Sequence, residues 1–327
     1  DHGIRTRVRQ KLTEDDSDEI LMALRQGHIA YVINTIDINH GDSHSDGSEI
    51  RRAAVENNVT MFTSLDTVKV LRSLWVCPPL TRSKRMYKQG IFTIEENRPL
   101  TASVYRMVLA GDTRYITAPG QFVNIALEGK FLRRPISVCD YDSRTVTIIY
   151  KVVGQGTAQM AKMQPGETLD VLTGLGNGYT IQPVHHALLI GGGVGVPPLY
   201  NLCKCLRAAG QQVTVILGFN TADEVFYAEE FAALGAEVRI TTVDGSVGTK
   251  GFVTDAFPAD YDYFYPCGPL PMLRAVYDRS ATSGQFSFEE RMGCGFGACM
   301  GCSCKTKYGN KRICKDGPVL VKEEIVW

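Results

Sequence analysis

The spacing of apolar positions changes along this chain, and each spacing predicts a different kind of element. Over residues 1–76 short apolar runs alternate with amphipathic stretches. Runs 28–35 and 59–63 predict strands, and 46–56 predicts a helix with Asp46 or Ser48 as its N-cap. Residues 65–74 predict a closing helix. Residues 77–90 carry Pro78, Pro79 and a Lys/Arg run, and read as a solvated linker. From 91 to 182 the period falls to two, with strands over 104–109, 121–126 and 145–153 separated by turns such as Ala118-Pro119-Gly120. Short strands at this spacing predict a small antiparallel barrel. From 183 to 282 strands at 187–190, 213–219, 237–242 and 261–265 alternate with helices, which predicts a doubly wound α/β unit. Cys203 and Cys205 lie on the apolar helix after the first of these strands and read as core. Residues 283–327 have no period and form a small unit rich in glycine and cysteine.

The expected architecture is therefore multidomain: a partial α/β piece (1–76), a linker (77–90), a β-barrel (91–182), a doubly wound domain (183–282) and a small C-terminal domain (283–327). A chain of 327 residues fits two or three domains. Hydrophobic content of 44% and charged content of 21% are those of an ordinary globular protein. The formal net charge is zero, which gives no general attraction to nucleic acid or an anionic membrane. No apolar run approaches the roughly 18 residues that span a bilayer, and no signal peptide opens the chain, so a cytoplasmic protein is expected. The chain starts at Asp1 rather than Met, as if cut from something longer.

Cysteine changes this bland picture. Five of the ten cysteines crowd between 294 and 314, a distribution that suits metal binding in a reducing compartment better than disulfides. Cys294, Cys299 and Cys302 are spaced C-x4-C-x2-C, and Cys314 follows after eleven residues. That is the plant-type ferredoxin spacing for a [2Fe–2S] cluster held by four thiolates. Gly293, Gly295, Gly297 and Gly301 let such a loop turn tightly and aim amides at sulfur. A structural zinc site with four cysteine ligands is the alternative. Cys304 is a fifth thiol, not needed for the count.

Two further motifs suit nucleotides. In the barrel region Arg133-Arg134-Pro135-Ile136-Ser137 combines a guanidinium, a stiff turn and a hydroxyl, as a diphosphate or ribityl chain would require. Ordinary turns of a barrel are the competing reading. In the α/β region Gly191-Gly192-Gly193-Val194-Gly195 lies between a strand and a helix, where free amides and a helix N-terminus favour phosphate. Cys267-Gly268-Pro269 ends a later strand, at the same edge of the sheet. Cys267 is a candidate catalytic thiol, or a buried structural one. After the 213–219 strand, Asn220, Asp223 and Glu224 offer no clamp for a 2′-phosphate, which favours NAD over NADP.

The order of these motifs, from the barrel motif through the two glycine-rich loops to the cysteine cluster and Cys314-Lys315-Asp316-Gly317-Pro318, resembles a known family over residues 85–327. It is similar to the electron-transfer subunits of class 1B, NAD-dependent dihydroorotate dehydrogenases, within the ferredoxin–NADP reductase superfamily. The resemblance implies FAD contacts at Arg134, Pro135, Ile136, Ser137, Ile149, Tyr150, Lys151, Gly156 and Thr157. It implies NAD contacts at Gly191, Gly192, Gly193, Gly195, Cys267, Gly268 and Pro269, and cluster ligands at Cys294, Cys299, Cys302 and Cys314. It further implies a separate FMN-containing catalytic subunit, with two of each chain in a heterotetramer, and electron flow from dihydroorotate through the cluster and FAD to NAD+ in pyrimidine synthesis. Neither nucleic acid nor membrane is an expected partner. Residues 1–76 resemble the C-terminal half of the methylglyoxal-synthase-like regulatory domain of carbamoyl-phosphate synthase large subunits, with Lys11 and Asn34 at positions that line the effector phosphate site in that family. Two alternatives stay open: a related NAD(P)H-dependent subunit of a ferredoxin:NADP oxidoreductase or hydrogenase, and a non-redox nucleotide-sensing module.

Overall fold

The computed structural model describes residues 20–22, 31–33, 50, 53–54, 60–62 and 87–327. The chain divides into two compact units, 1–84 and 85–327. In the first, strands β1 (Tyr31–Ile33) and β2 (Thr60–Phe62) pair in parallel, in the two runs expected to be strands. Ala53 and Ala54 are buried against Ile20, Leu21, Val32 and Ile50. Lys11, Asn34, the expected helix at 65–74 and most of the expected linker lie outside the described residues.

The second unit begins with a closed six-stranded antiparallel barrel of order β3-β4-β7-β6-β5-β8. Its strands are β3 (Lys88–Pro99), β4 (Val104–Ala110), β5 (Phe122–Ile125), β6 (Arg134–Tyr141), β7 (Thr145–Lys151) and β8 (Thr168–Leu175). β3 starts inside the stretch expected to be linker, because Lys88 pairs with Thr173 on β8. Alternation along the strands fills the barrel: Phe92, Ile94, Met107, Leu109, Val123, Ile125, Ile148 and Tyr150 point inward and form one core. The short helix α1 (Gln155–Met160) follows β7.

The α/β part is a seven-stranded sheet of order β12-β11-β10-β9-β13-β14-β17. Its centre is β9 (His186–Gly192), whose seven residues are all buried, as a parallel strand covered on both faces should be. β10 (Gln212–Phe219) and β11 (Glu237–Thr242) lie on one side with the edge strand β12 (Thr249–Lys250), and β13 (Tyr263–Cys267) lies on the other. Helix α2 (Pro198–Ala208) follows β9, α3 (Ala228–Ala233) follows β10, and α4 (Leu270–Arg279) follows β13. Cys203 on α2 is fully buried, but Cys205 is only half-buried, with its Sγ 3.9 Å from Asn201 Oδ1. Positions two apart on a helix, as these are, lie more than half a turn from each other, so both cannot face one core.

The C-terminal stretch adds two strands to this sheet. β14 (Gln285–Ser287) pairs in parallel with β13 and β17 (Val319–Val321) pairs antiparallel with β14, while β15 (Ser303–Thr306) and β16 (Gly309–Arg312) form a separate hairpin. Phe286, Ile313, Leu320 and Ile325 share a core with Leu188, Ile216 and Phe264 of the doubly wound part. Polar links fasten barrel to sheet. Asp140 on β6 accepts from Asn201 Nδ2 at 2.7 Å and from Lys204 Nζ at 2.7 and 2.9 Å, both on α2.

Candidate functional site

β9 and β13 are neighbours, and chain order reverses between them, so the crevice at their C-terminal ends is the switch point where doubly wound sheets take ligands. Gly191 and Cys267 are register partners there. The two loops leaving these strands lie against one another. A Cβ on Gly195 would stand 2.2 Å from the Cys267 carbonyl oxygen, and one on Gly192 would stand 2.5 Å from Met272 Sδ and 3.2 Å from Pro269 Cδ. Glycine is thus needed for packing at these positions, while Gly193, at φ +52°, faces open space. The structure brings Gly191, Gly192, Gly193, Gly195, Cys267, Gly268 and Pro269 together at the C-terminal ends of β9 and β13. Burial pushes the Cys267 thiol up to about 12, with the Ser287 hydroxyl partly offsetting it. A thiol so raised is neutral at physiological pH, so Cys267 can pack and shape but not attack.

The barrel motif divides its two arginines. Arg133 is committed to structure: its guanidinium meets Asp170 at 2.9 and 3.1 Å and the Asn124 and Asp170 carbonyls at 3.3 and 3.1 Å. Arg134 instead lies over the start of α1, where a Cβ on Gly156 would stand 2.2 Å from its Nε. Its Nη1 donates to the Leu132 carbonyl, and a guanidinium lying against the first turn of a helix fits a diphosphate. Arg134, Pro135, Ile136 and Ser137 are half-buried along β6. Thr157 uses its hydroxyl locally, accepting from the Val153 and Gly154 amides at 3.0 and 3.3 Å. The Tyr150 side chain points into the barrel, 2% exposed, and donates to Asn97 Oδ1 at 3.0 Å. Ile149 faces the other way and packs against the α/β core. At both residues only the backbone can meet a ligand. Lys151 reaches across to Glu224 of the α/β part, Nζ to Oε1 3.6 Å.

Backbone amides tie the four cysteines two by two, the Cys299 N–H donating to Cys294 Sγ and the Cys314 N–H to Cys302 Sγ. Among the described residues no three such side chains converge as ligands of a single ion. Four thiols so placed can supply two ligands to each of two irons. Amides point at the sulfurs: Ala298 and Cys299 N–H donate to Cys294 Sγ at 3.2 and 3.4 Å, Gly301 to Cys299 Sγ at 3.5 Å, and Cys314 to Cys302 Sγ at 3.3 Å. Burial pushes the Cys294 thiol up, but the amides and Cys299 outweigh it and bring it down to about 7. Burial and the neighbouring Cys302 push Cys314 upward, as crowded thiols without a compensating cation must be. Cys302 and Cys314 are buried, and Cys299 is exposed.

Sequence reasoning missed the residues that seat this loop. Asn124, on β5 beside the barrel motif, is 1% exposed and points its amide at the Cys294 carbonyl, 3.5 Å away. Its Oδ1 is buried without a hydrogen-bond partner. Asn177 holds the return segment, donating to Val319 O at 2.7 Å and Asp316 O at 3.1 Å and accepting from Val319 N at 3.1 Å. Tyr87 stacks on Phe296 of the cysteine loop at 5.2 Å. The spacing of β14 completes the arrangement. Cys267 pairs with Ser287, seven residues before Cys294, so one short strand joins the dinucleotide crevice to the cysteine loop.

Three family models match the chain: the iron–sulfur cluster binding domain of dihydroorotate dehydrogenase B over 289–326, an oxidoreductase NAD-binding domain over 189–278, and an MGS-like domain over 1–63. The chain is similar to the dihydroorotate dehydrogenase B (NAD(+)) electron transfer subunit of Fusobacterium nucleatum, 44% identical over 251 residues that cover 71% of this chain and 96% of that one. It is also 44% identical to the same-named subunit of a Geobacillus strain, over 74% of this chain and all of that one. Among solved structures, an NADH-dependent reduced ferredoxin–NADP oxidoreductase is 31% identical with a TM-score of 0.68, covering 73% of this chain and 90% of that one. A ferredoxin NADP+ reductase from Neisseria gonorrhoeae with bound FAD and NADP, 18% identical with a TM-score of 0.52, shares the fold.

Proposed function

The chain belongs to the family of dihydroorotate dehydrogenase B electron transfer subunits, and from that premise we propose that it carries electrons from an FMN-containing dihydroorotate-oxidising subunit to NAD+ in pyrimidine synthesis. As an oxidoreductase subunit it works with a partner catalytic chain, and its cofactors are a [2Fe–2S] cluster, FAD and NAD. When bound, the cluster exchanges single electrons, nicotinamide takes a hydride and flavin does both.

The chain's own residues bind and orient. Cys294, Cys299, Cys302 and Cys314 hold the irons, with the amides of 298, 299, 301 and 314 stabilising charge on sulfur. Arg134 and the α1 amides of Gly156 and Thr157 take the FAD diphosphate. Pro135, Ile136 and Ser137 line its ribityl and ring, and the backbone of Ile149, Tyr150 and Lys151 borders it. Gly191, Gly192, Gly193 and Gly195 take the NAD diphosphate, while Cys267, Gly268 and Pro269 form the floor against which nicotinamide lies. Cys267 serves there as a neutral, half-buried contact. Exposed Cys299, Phe296 and Met300 mark the side that the catalytic subunit covers. Two copies of each chain in a cytoplasmic heterotetramer complete the proposal. The MGS-like match over 1–63 fits the same pathway, because the carbamoyl-phosphate synthases that this piece resembles make an early pyrimidine precursor.

The pairing of the four cysteines beside the dinucleotide crevice carries this reading. Replacing the exposed ligand tests it: Cys299→Ala should abolish electron transfer between the partner chain and NAD+, while NADH still reduces a dye through FAD. Full coupled activity in that variant would refute the ligand assignment.

A further inference from the structure

The loop after β10 sits one strand from the glycine-rich turn, at the same edge of the sheet. A dinucleotide with its diphosphate on Gly191 to Gly195 and its nicotinamide at Cys267 extends its adenosine toward this loop. The loop presents a fixed carboxylate. Glu224 Oε2 accepts from Asn220 Nδ2 at 2.8 Å and from the Asn220 amide at 3.2 Å. The loop is braced from outside, because the Ala222 amide donates to Ser246 Oγ at 2.8 Å and that hydroxyl donates to Asp244 Oδ1 at 2.6 Å. The other oxygen of Glu224 faces Lys151, which comes from the end of barrel strand β7. Both side chains remain more than one-third exposed, so the pair is reachable by a ligand and screened by water. Although burial works against it, the Asn220 donors and Lys151 keep the Glu224 carboxyl below its ordinary range, and it is an anion at physiological pH.

We propose that Glu224 and Lys151 together choose between the ribose 2′-hydroxyl of NAD(H) and the 2′-phosphate of NADP(H). Glu224 accepts a hydrogen bond from the 2′-hydroxyl and repels a phosphate at the same position. Lys151 is a cation able to bind that phosphate, held silent by its pairing with Glu224. The inference rests on the reading of Gly191 to Gly195 as a dinucleotide site, and adds to it the two side chains that set its selectivity. It also explains why no arginine clamp is required for discrimination: one misplaced charge suffices, since like charges at this range in a surface site change affinity by about tenfold.

The test uses the full chain and two probes that need no flavin chemistry, 5′-AMP and 2′,5′-ADP, titrated by calorimetry, together with NADH and NADPH as reductants of a dye. In Glu224→Gln, 2′,5′-ADP should bind about tenfold more tightly and 5′-AMP severalfold more weakly. The ratio of kcat/KM for NADPH over NADH should rise about tenfold, with the change falling on KM. In Glu224→Gln combined with Lys151→Met the gain toward 2′,5′-ADP should vanish. Selectivity unchanged within twofold in Glu224→Gln, with 5′-AMP still bound, would overturn this inference alone. A native chain that binds neither nucleotide would overturn the dinucleotide site itself, and this inference with it.

Discussion

The carbonyl oxygen of Cys267 lies 2.2 Å from where a Cβ on Gly195 would stand, so the glycine-rich turn and the Cys-Gly-Pro loop are packed with no room for a side chain between them. A backbone oxygen cannot swing aside as the end of a flexible side chain can. Gly195→Ala should therefore push the two loops apart and lower kcat/KM for NADH in dye reduction at least tenfold, with flavin content unchanged. Steady-state kinetics on flavin-matched samples checks this, and activity within twofold of native would refute the packing argument.

Arg134 is the one arginine of its motif not committed to Asp170. A charged hydrogen-bonding group of this kind contributes about 1.5–3 kcal/mol. Arg134→Ala should weaken FAD binding roughly ten- to a hundredfold, so that the protein purifies largely free of flavin. Arg133→Ala should instead lower thermal stability with flavin retained at saturating FAD. The ratio of flavin to protein absorbance separates the two, and equal flavin loss in both would contradict the division of roles.

Cys267 should resist alkylation. Burial raises its folded-state value from 9.0 to about 12, so the neutral thiol persists throughout the neutral range and thiolate appears only as pH rises toward the raised value. At pH 8 its thiolate fraction is roughly a thousandfold below that of an ordinary thiol. Iodoacetamide labelling followed by peptide mapping should find Cys267 unmodified under conditions that label the same chain fully once denatured. Labelling at the rate of a free thiol would show that the residue is not held as described.

Asn177 clamps the barrel's exit loop to the segment after Cys314 through three side-chain hydrogen bonds. Its removal strands buried carbonyls and an amide. Asn177→Ala should cost about 2–3 kcal/mol, lowering the melting temperature by roughly 5–10 °C, and should speed loss of iron on storage. A melting curve that superimposes on the native one would rule out this clamp.

Where a feature depends on neighbours in the chain, it was legible in the sequence. The period-two runs became the six-stranded barrel, the buried run at β9 became the centre of the sheet, and the C-x4-C-x2-C spacing with Cys314 marked out the cysteine loop. Features that depend on distant contacts were not. β14 and β17 are three residues each, too short for a period to appear, and they extend the doubly wound sheet. Asn124 and Cys294 are 170 positions apart, and nothing near Asn124 marks it as a seat for a cysteine loop. The amides that point at the cysteine sulfurs are likewise a property of the folded loop. The contact between the Lys151 amine and Glu224 is another that the local pattern around neither residue reveals.

The central claim is that one chain holds a two-iron cluster and a flavin beside a dinucleotide crevice. The most direct measurement is an anaerobic visible spectrum of the purified chain, titrated with NADH, alongside analysis for iron, sulfide and zinc. Two irons, two sulfides and one flavin per chain, with the flavin absorbance bleached by NADH, is the predicted result. One zinc per chain, with no flavin and no response to NADH, would contradict it.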